Sequence, residues 1–149
     1  MISTLLACTV WARPAQAPGG ACGAPSYKVA YRYSEGTKEV AIAVSIDPRD
    51  VTLHNLLALA CQFRADFPDA ETIGVNIFNN YEAGRKADVH GVEEGGGQRR
   101  YRAAFIAYYH LDRPKGKDVL TLVGDPRHPC GNDIDINLKN RSAGFVPCK

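Results

Sequence analysis

One stretch, residues 52–67 (Thr-Leu-His-Asn-Leu-Leu-Ala-Leu-Ala-Cys-Gln-Phe-Arg-Ala-Asp-Phe), limits what this chain can fold into more than any other. It is the only long segment with helical periodicity. Leu53, Leu56, Leu57, Ala60, Cys61, Phe63 and Phe67 recur at spacings of three and four, which predicts one broad apolar face. Asn55, Gln62 and Asp66 fall largely on the other side. Thr52 is placed to cap the first turn, with Asn55 where a capping box carries Glu or Gln. Pro68 stops the helix, because the residue before a proline is pushed out of the α region. A lone amphipathic helix needs a surface to pack on, and on both sides of it the pattern changes to period two. The surface is expected to be a sheet.

The alternating segments give that sheet its strands. Tyr27, Val29, Tyr31 and Tyr33 alternate with Lys28, Ala30 and Arg32, predicting a strand with one apolar face. A hairpin loop around Gly36 leads to Val40, Ile42, Val44 and Ile46, which alternate with Ala41, Ala43 and Ser45 in a second, antiparallel strand. After the helix, Ile73, Val75 and Ile77 share a face and Phe78 lies on the other. A strand, a helix and a strand in one sheet imply that the second and third strands are parallel. Residues 81–87 suit a helical turn or two, and Gly91 to Arg100 reads as a glycine-rich loop.

Alternation resumes at Tyr101, with Tyr101, Ala103, Phe105, Ala107 and Tyr109 on one side and Arg102, Ala104, Ile106, Tyr108 and His110 on the other. A turn over 112–117 returns the chain as a strand over 118–123, and residues 133–138 suit a short edge strand. The expected class is α+β: a mostly antiparallel sheet of five or six strands in ββαβββ order, with one main helix packed on one face. A length of 149 residues fits one domain that buries roughly two thirds of its unfolded surface.

Ahead of that domain, residues 2–12 are apolar or small and uncharged. This is the length of a signal-peptide core and too short to span a bilayer as a helix. Ala15 and Ala17 stand three and one positions before a possible cleavage point. Leu5-Leu6-Ala7-Cys8 also resembles a lipobox, which makes Cys8 a lipidation candidate. No Lys or Arg precedes the apolar run, and a start upstream of Met1 would supply the missing basic residues. Three prolines and three glycines in residues 13–26 suit a tether, so 1–26 reads as a signal or tether segment and 27–149 as the domain.

Either export route removes Cys8 and leaves Cys22, Cys61, Cys130 and Cys148 as disulfide candidates. Three full pairings are open to them. Cys130 with Cys148 is favoured, because both lie in a tail with little core of its own. No CxxC spacing supports a zinc or thioredoxin-type site.

The order of these segments resembles a family of small exported bacterial domains, often lipoproteins, of unknown function. The resemblance rests on Tyr27-Lys28-Val29, the Thr52–Ala60 helix start, Ile77-Phe78-Asn79, the Ala- and Tyr-rich run from Ala103 to Tyr109, and the closing strand from Leu120 to Val123. It covers about residues 27–124. It implies the fold and export, and carries no catalytic residue across.

Candidate chemistry is sparse. His110 and His128, with Asp112 and Asp125, supply metal-ligand types, but at spacings unlike a structural zinc site. Cys130 near His128 is expected to be disulfide-bonded if the protein is exported. The run Asp133-Ile134-Asp135-Ile136-Asn137 begins like a calcium loop, yet Leu138 stands where that loop needs Gly, so a strand is expected.

Residues 98–149 carry 10 Lys and Arg against 5 Asp and Glu, and Arg99, Arg100 and Arg102 interleave with Tyr101. That arrangement suits an anion or a nucleic acid. Arginines on the solvent face of a strand are the simpler reading. The sequence therefore favours an exported, membrane-tethered, non-enzymatic binding or envelope-accessory domain, secreted or periplasmic, with an unidentified envelope or extracellular partner. No cofactor is expected, and the membrane is met only through an N-terminal anchor. The alternatives are a small metal-dependent hydrolase built on His110, His128, Asp112 and Asp125, and an anion or nucleic-acid binder using Arg99, Arg100 and Arg102.

Overall fold

The computed structural model describes residues 22–86, 103–124, 133–140 and 142–145. Its architecture is α+β. Among the described residues, seven strands form one sheet in sequence order: β1 (Lys28–Glu35), β2 (Glu39–Ser45), β3 (Thr72–Phe78), β4 (Phe105–Asp112), β5 (Lys117–Leu122), β6 (Ile134–Asn137) and β7 (Ser142–Phe145). The short strand β7 extends the sheet beyond the strands the alternation marks out. The β2–β3 pair is parallel and every other pair is antiparallel. The parallel pair is joined through the main helix α1 (Leu53–Asp66), as a strand–helix–strand unit requires. A shorter helix, α2 (Tyr81–Lys86), follows β3. Among the described residues, no helix is long and apolar enough to cross a membrane.

Helix α1 begins as its sequence dictates. Thr52 is extended (φ −130°, ψ 153°) and its hydroxyl accepts from the Asn55 amide at 3.2 Å. Asn55 does not complete a capping box. Its Nδ2 donates instead to the Asp50 carbonyl at 2.9 Å, because an amide can donate where the usual Glu only accepts. At the other end Phe67 leaves the α region before Pro68.

The buried face of α1 is narrower than the spacing predicted. Leu56, Leu59, Ala60 and Phe63 enter the core, while Leu53 is 50% exposed. Leu53 lies in the first turn, ahead of the part of the helix that meets the sheet. Leu57 and Phe67 flank the core, partly buried.

The sheet face beneath α1 carries Ile42 and Val44 of β2, Ile73, Val75 and Ile77 of β3, Ala107 and Tyr109 of β4, and Leu120 of β5. Phe63 links α1 to this layer. Its ring lies 5.1 Å from Tyr27 in an edge contact and 6.0 Å from Tyr109 in a stacked one. Arg64 adds a polar tie, donating to Asp118 Oδ2 at 2.6 Å, while Tyr109 donates to Asp118 Oδ1 at 3.1 Å.

Two strands break the expected alternation, both at bulges. In β1, Val29 pairs with Val44 but Tyr31 pairs with Ala43, so Ala30 is an extra residue, and Arg32 pairs with Ile42 but Ser34 with Ala41, so Tyr33 is a second. Tyr27 and Val29 therefore pack on the α1 side, whereas Tyr31 joins Ala43, Phe78, Ala83 and Ala104 on the opposite side. The four aromatic and apolar residues of β1 do not share one face. In β4, Ile77 pairs with Ala107 and Phe78 with Phe105, so Ile106 bulges and turns to the α1 side while Phe105 packs against Phe78. The strand read from Tyr101 starts only at Phe105, and Ala103 and Ala104 are helical.

Candidate functional site

Among the described residues, the face of the sheet away from α1 is covered by helix at one end, where α2 sets Ala83 against Ala43, Phe78 and Ala104. Across the remainder, pairing register aligns polar and aromatic side chains in rows. Asn76 of β3 pairs with Tyr108 of β4, Tyr108 with Thr121 of β5, and Thr121 with Asp135 of β6. One step along, Gly74 pairs with His110 and His110 with Val119. Side chains in register on one face are neighbours, so each row is a line of contacts. Asn76, Tyr108, His110, Thr121 and Asp135 are all partly exposed.

Hydrogen bonds tie this surface together. Asn76 Nδ2 donates to the Tyr33 hydroxyl at 3.4 Å, Thr121 donates to Asp135 at 2.5 Å, and Tyr108 Oη lies 3.2 Å from His110 Nδ1. The Tyr31 and Tyr33 rings meet edge-on at 5.0 Å, and Tyr108 meets His110 edge-on at 5.9 Å. Ala41 of β2 pairs with Gly74 of β3 on this face, and Tyr108 leans over Gly74. A side chain at position 74 would meet Tyr108, since a Cβ there would lie 3.1 Å from the phenol oxygen.

Charge on this face gathers at the β4–β5 turn, where Lys117 stands in register beside Asp112. Burial pushes the His110 imidazole below its ordinary value, and the neighbouring Lys117 adds to the effect, with Lys115 contributing less; Asp112 opposes them. Burial also raises the Tyr108 phenol, whose Oη is hydrogen-bonded to His110 Nδ1. Asp112 serves the turn after β4. It accepts from the Lys115 backbone amide at 3.0 Å and pairs with Lys115 Nζ at 3.0 Å, contacts that hold its carboxyl below the usual carboxylate range.

Of the metal-ligand candidates, His110 and Asp112 are thus engaged with Tyr108 and Lys115, and Asp125 and His128 lie outside the described residues. Among the described residues no group of three or more His, Cys, Asp or Glu side chains comes together to hold a metal. Arg99, Arg100 and Arg102, the lipidation candidate Cys8, and the favoured pair Cys130 and Cys148 also lie outside the described residues. Cys22 and Cys61 do come together, as a disulfide with a Cα–Cα distance of 5.9 Å. It ties the segment leading into β1 to helix α1, and it is consistent with an oxidising compartment.

An open depression of about 330 Å³ lies beside α2, bordered by Asn80, Glu82 and Lys86. Two of its polar side chains have structural work: Asn80 Oδ1 accepts from the Ala83 amide and Glu82 accepts from Arg85.

The row through Asn76, Tyr108, Thr121 and Asp135 is the set that sequence reading missed. Its signal was present as polar residues interrupting the alternation on the side opposite the isoleucines and valines. Without register, those interruptions do not line up. Comparison of the chain with protein-family models, with curated proteins and with solved structures finds no match.

Proposed function

We propose that this chain is an exported, non-enzymatic binding domain of the cell envelope that uses the α1-free face of its sheet. The observation that carries the reading is the cross-strand row of partly exposed Asn76, Tyr108, Thr121 and Asp135 beside Tyr33. Such a row offers donors, acceptors and aromatic surface on strands held rigid by their neighbours, the arrangement that suits recognition. The α1 side needs its polar groups for packing, since Arg64, Asp118 and Tyr109 bond one another there. Export is supported by the Cys22–Cys61 disulfide, because structural disulfides persist in secreted and periplasmic proteins and are rare in reducing cytosol. An N-terminal tether to the membrane, through a signal segment or a lipidated Cys8, completes the proposal, in line with the resemblance to small exported bacterial domains.

The test of export is the intact mass of the protein made from its native gene in a fractionated bacterial host, alkylated without reduction. An envelope-located product that has lost its N-terminal segment and shows no alkylation at Cys22 or Cys61 is expected. A full-length cytosolic product with five alkylated thiols overturns the export reading.

A further inference from the structure

We infer that the depression beside α2 binds a small organic monocarboxylate, its carboxylate on Lys86 and a hydroxyl or amino substituent beside it within reach of Asn79 and Asn80. The site shares no residue with the row from Asn76 to Asp135 and goes beyond the sheet-face reading. Three observations carry it.

The first is size. The depression measures about 330 Å³, at the small end of the range that ligand sites occupy, so it suits a compact molecule and not a polymer. Buried Ala83 and Ala104 line it, which leaves room for a short carbon skeleton. The Asn79 backbone amide donates to the Ala104 carbonyl at 2.9 Å and so joins the end of β3 to the segment entering β4. The second is hydrogen-bonding capacity left unused. Among the described residues, neither the Lys86 ammonium nor the Asn79 side-chain amide has a partner. Asn80 uses its Oδ1, which accepts from Ala83, so its Nδ2 remains able to donate. One ammonium and two amide groups bordering one depression match the oxygens of a carboxylate and of a neighbouring polar substituent.

The third is charge. Glu82 and Lys86 stand four residues apart on α2, the spacing of a helical ion pair, yet Glu82 pairs with Arg85 and not with Lys86. Lys86 is therefore the lining cation without a counter-charge, and one negative charge balances it. Glu82 borders the same depression and repels further negative charge, which selects a monoanion over a phosphate dianion or a dicarboxylate.

The experiment is amide chemical-shift mapping on the full chain with its disulfide intact. The probes are L-lactate and L-alanine, with lactamide and inorganic phosphate as controls. At least one of the two monocarboxylates is expected to bind with Kd between about 0.1 and 10 mM, as befits an open site, and to shift the side-chain amides of Asn79 and Asn80. Which of the two binds identifies the substituent. Lys86→Gln is expected to weaken binding about tenfold and Asn79→Ala about threefold. Lys86 is exposed at the end of α2, and a dispersed spectrum checks that each variant folds. Equal binding of lactamide, which lacks the carboxylate, or tighter binding of phosphate overturns the inference. So does unchanged affinity in the folded Lys86→Gln variant. Shifts confined to Asn76, Tyr108 and Thr121 would put the ligand on the sheet face instead, and no shift at 50 mM probe would leave the depression without this ligand class; either result sinks it.

Discussion

The phenol of Tyr108 occupies the space above Gly74 that a side chain at position 74 would need: a Cβ there would lie 3.1 Å from the hydroxyl oxygen. Gly74 is one step along the strand from Asn76, the cross-strand partner of Tyr108, so the ring leans diagonally over β3. Gly74→Ala should be nearly neutral, since the phenol is the far end of a side chain and can shift by a few tenths of an ångström. Gly74→Val should cost about 1 kcal/mol and separate Tyr108 from His110. Urea unfolding gives the first quantity. Loss of nuclear Overhauser contacts between the two rings gives the second, and unchanged contacts in the valine variant would contradict the placement.

Arg64 and Asp118 form the polar tie between α1 and β5, and the Asp118 side chain is only 9% exposed. Removing one partner leaves the other carrying an uncompensated cost. Arg64→Ala should destabilise by about 2–3 kcal/mol, because Asp118 is then a buried carboxylate held by Tyr109 alone. Arg64→Met combined with Asp118→Leu should cost less than the sum of its single changes. Additive effects in a double-mutant cycle would show that the pair is not coupled.

Joining Cys22 to Cys61 closes a segment with a sequence separation of 39, worth about 4 kcal/mol in the chain-entropy model. Cys22→Ser should therefore lower the denaturation midpoint, and so should reduction of the unaltered protein. Reduction should leave the Cys22→Ser variant's stability almost unchanged, apart from any bond between Cys130 and Cys148. Equal sensitivity of both proteins to reductant would indicate that the stabilising bond lies elsewhere.

His110 gives the fold a pH dependence with a defined sign. Its folded-state pKa is depressed by burial and by Lys117 and Lys115, with Asp112 acting the other way. Below about pH 6.5 the unfolded chain takes up the proton first, so stability is present above that value and lost as pH falls toward the folded-state pKa. His110→Gln should flatten the stability profile in that window. The ring-proton titration of His110 should have its midpoint below 6.5, and a midpoint above it would reverse the sign.

Two leucines of α1 separate what spacing predicts from what packing decides. Leu59 is fully buried and Leu53 is half exposed, although helical spacing placed Leu53 on the apolar face. Leu59→Ala should cost about 3 kcal/mol through lost transfer energy and a residual cavity, and Leu53→Ala no more than about 0.5 kcal/mol. Comparable losses at both sites, measured by chemical denaturation, would mean that the first turn is packed after all.

Much of the fold was legible in sequence because it rests on local periodicity. The α1 stripe of Leu56, Ala60 and Phe63, the Thr52 cap and the Pro68 stop follow from 3.6-residue spacing and backbone sterics, and the structure has all three. The alternation of Val40, Ile42 and Val44, and of Ile73, Val75 and Ile77, likewise places both strands with their apolar faces under α1. Cys22 and Cys61 were two of four candidates, but their pairing depended on where α1 lies over the segment leading into β1.

Tertiary structure alone decided the rest. The extra residues Ala30 and Ile106 reverse which side Tyr31 and Phe105 face, because period-two alternation fails wherever one strand carries a residue its partner lacks. Register likewise brings Asn76, Tyr108, Thr121 and Asp135 into one row, though they lie far apart in the chain and no local pattern links them. The sequence determined which segments are helix and strand and which of their faces are apolar. Strand pairing, a long-range property set by bulges and packing against α1, determined which polar side chains share a surface.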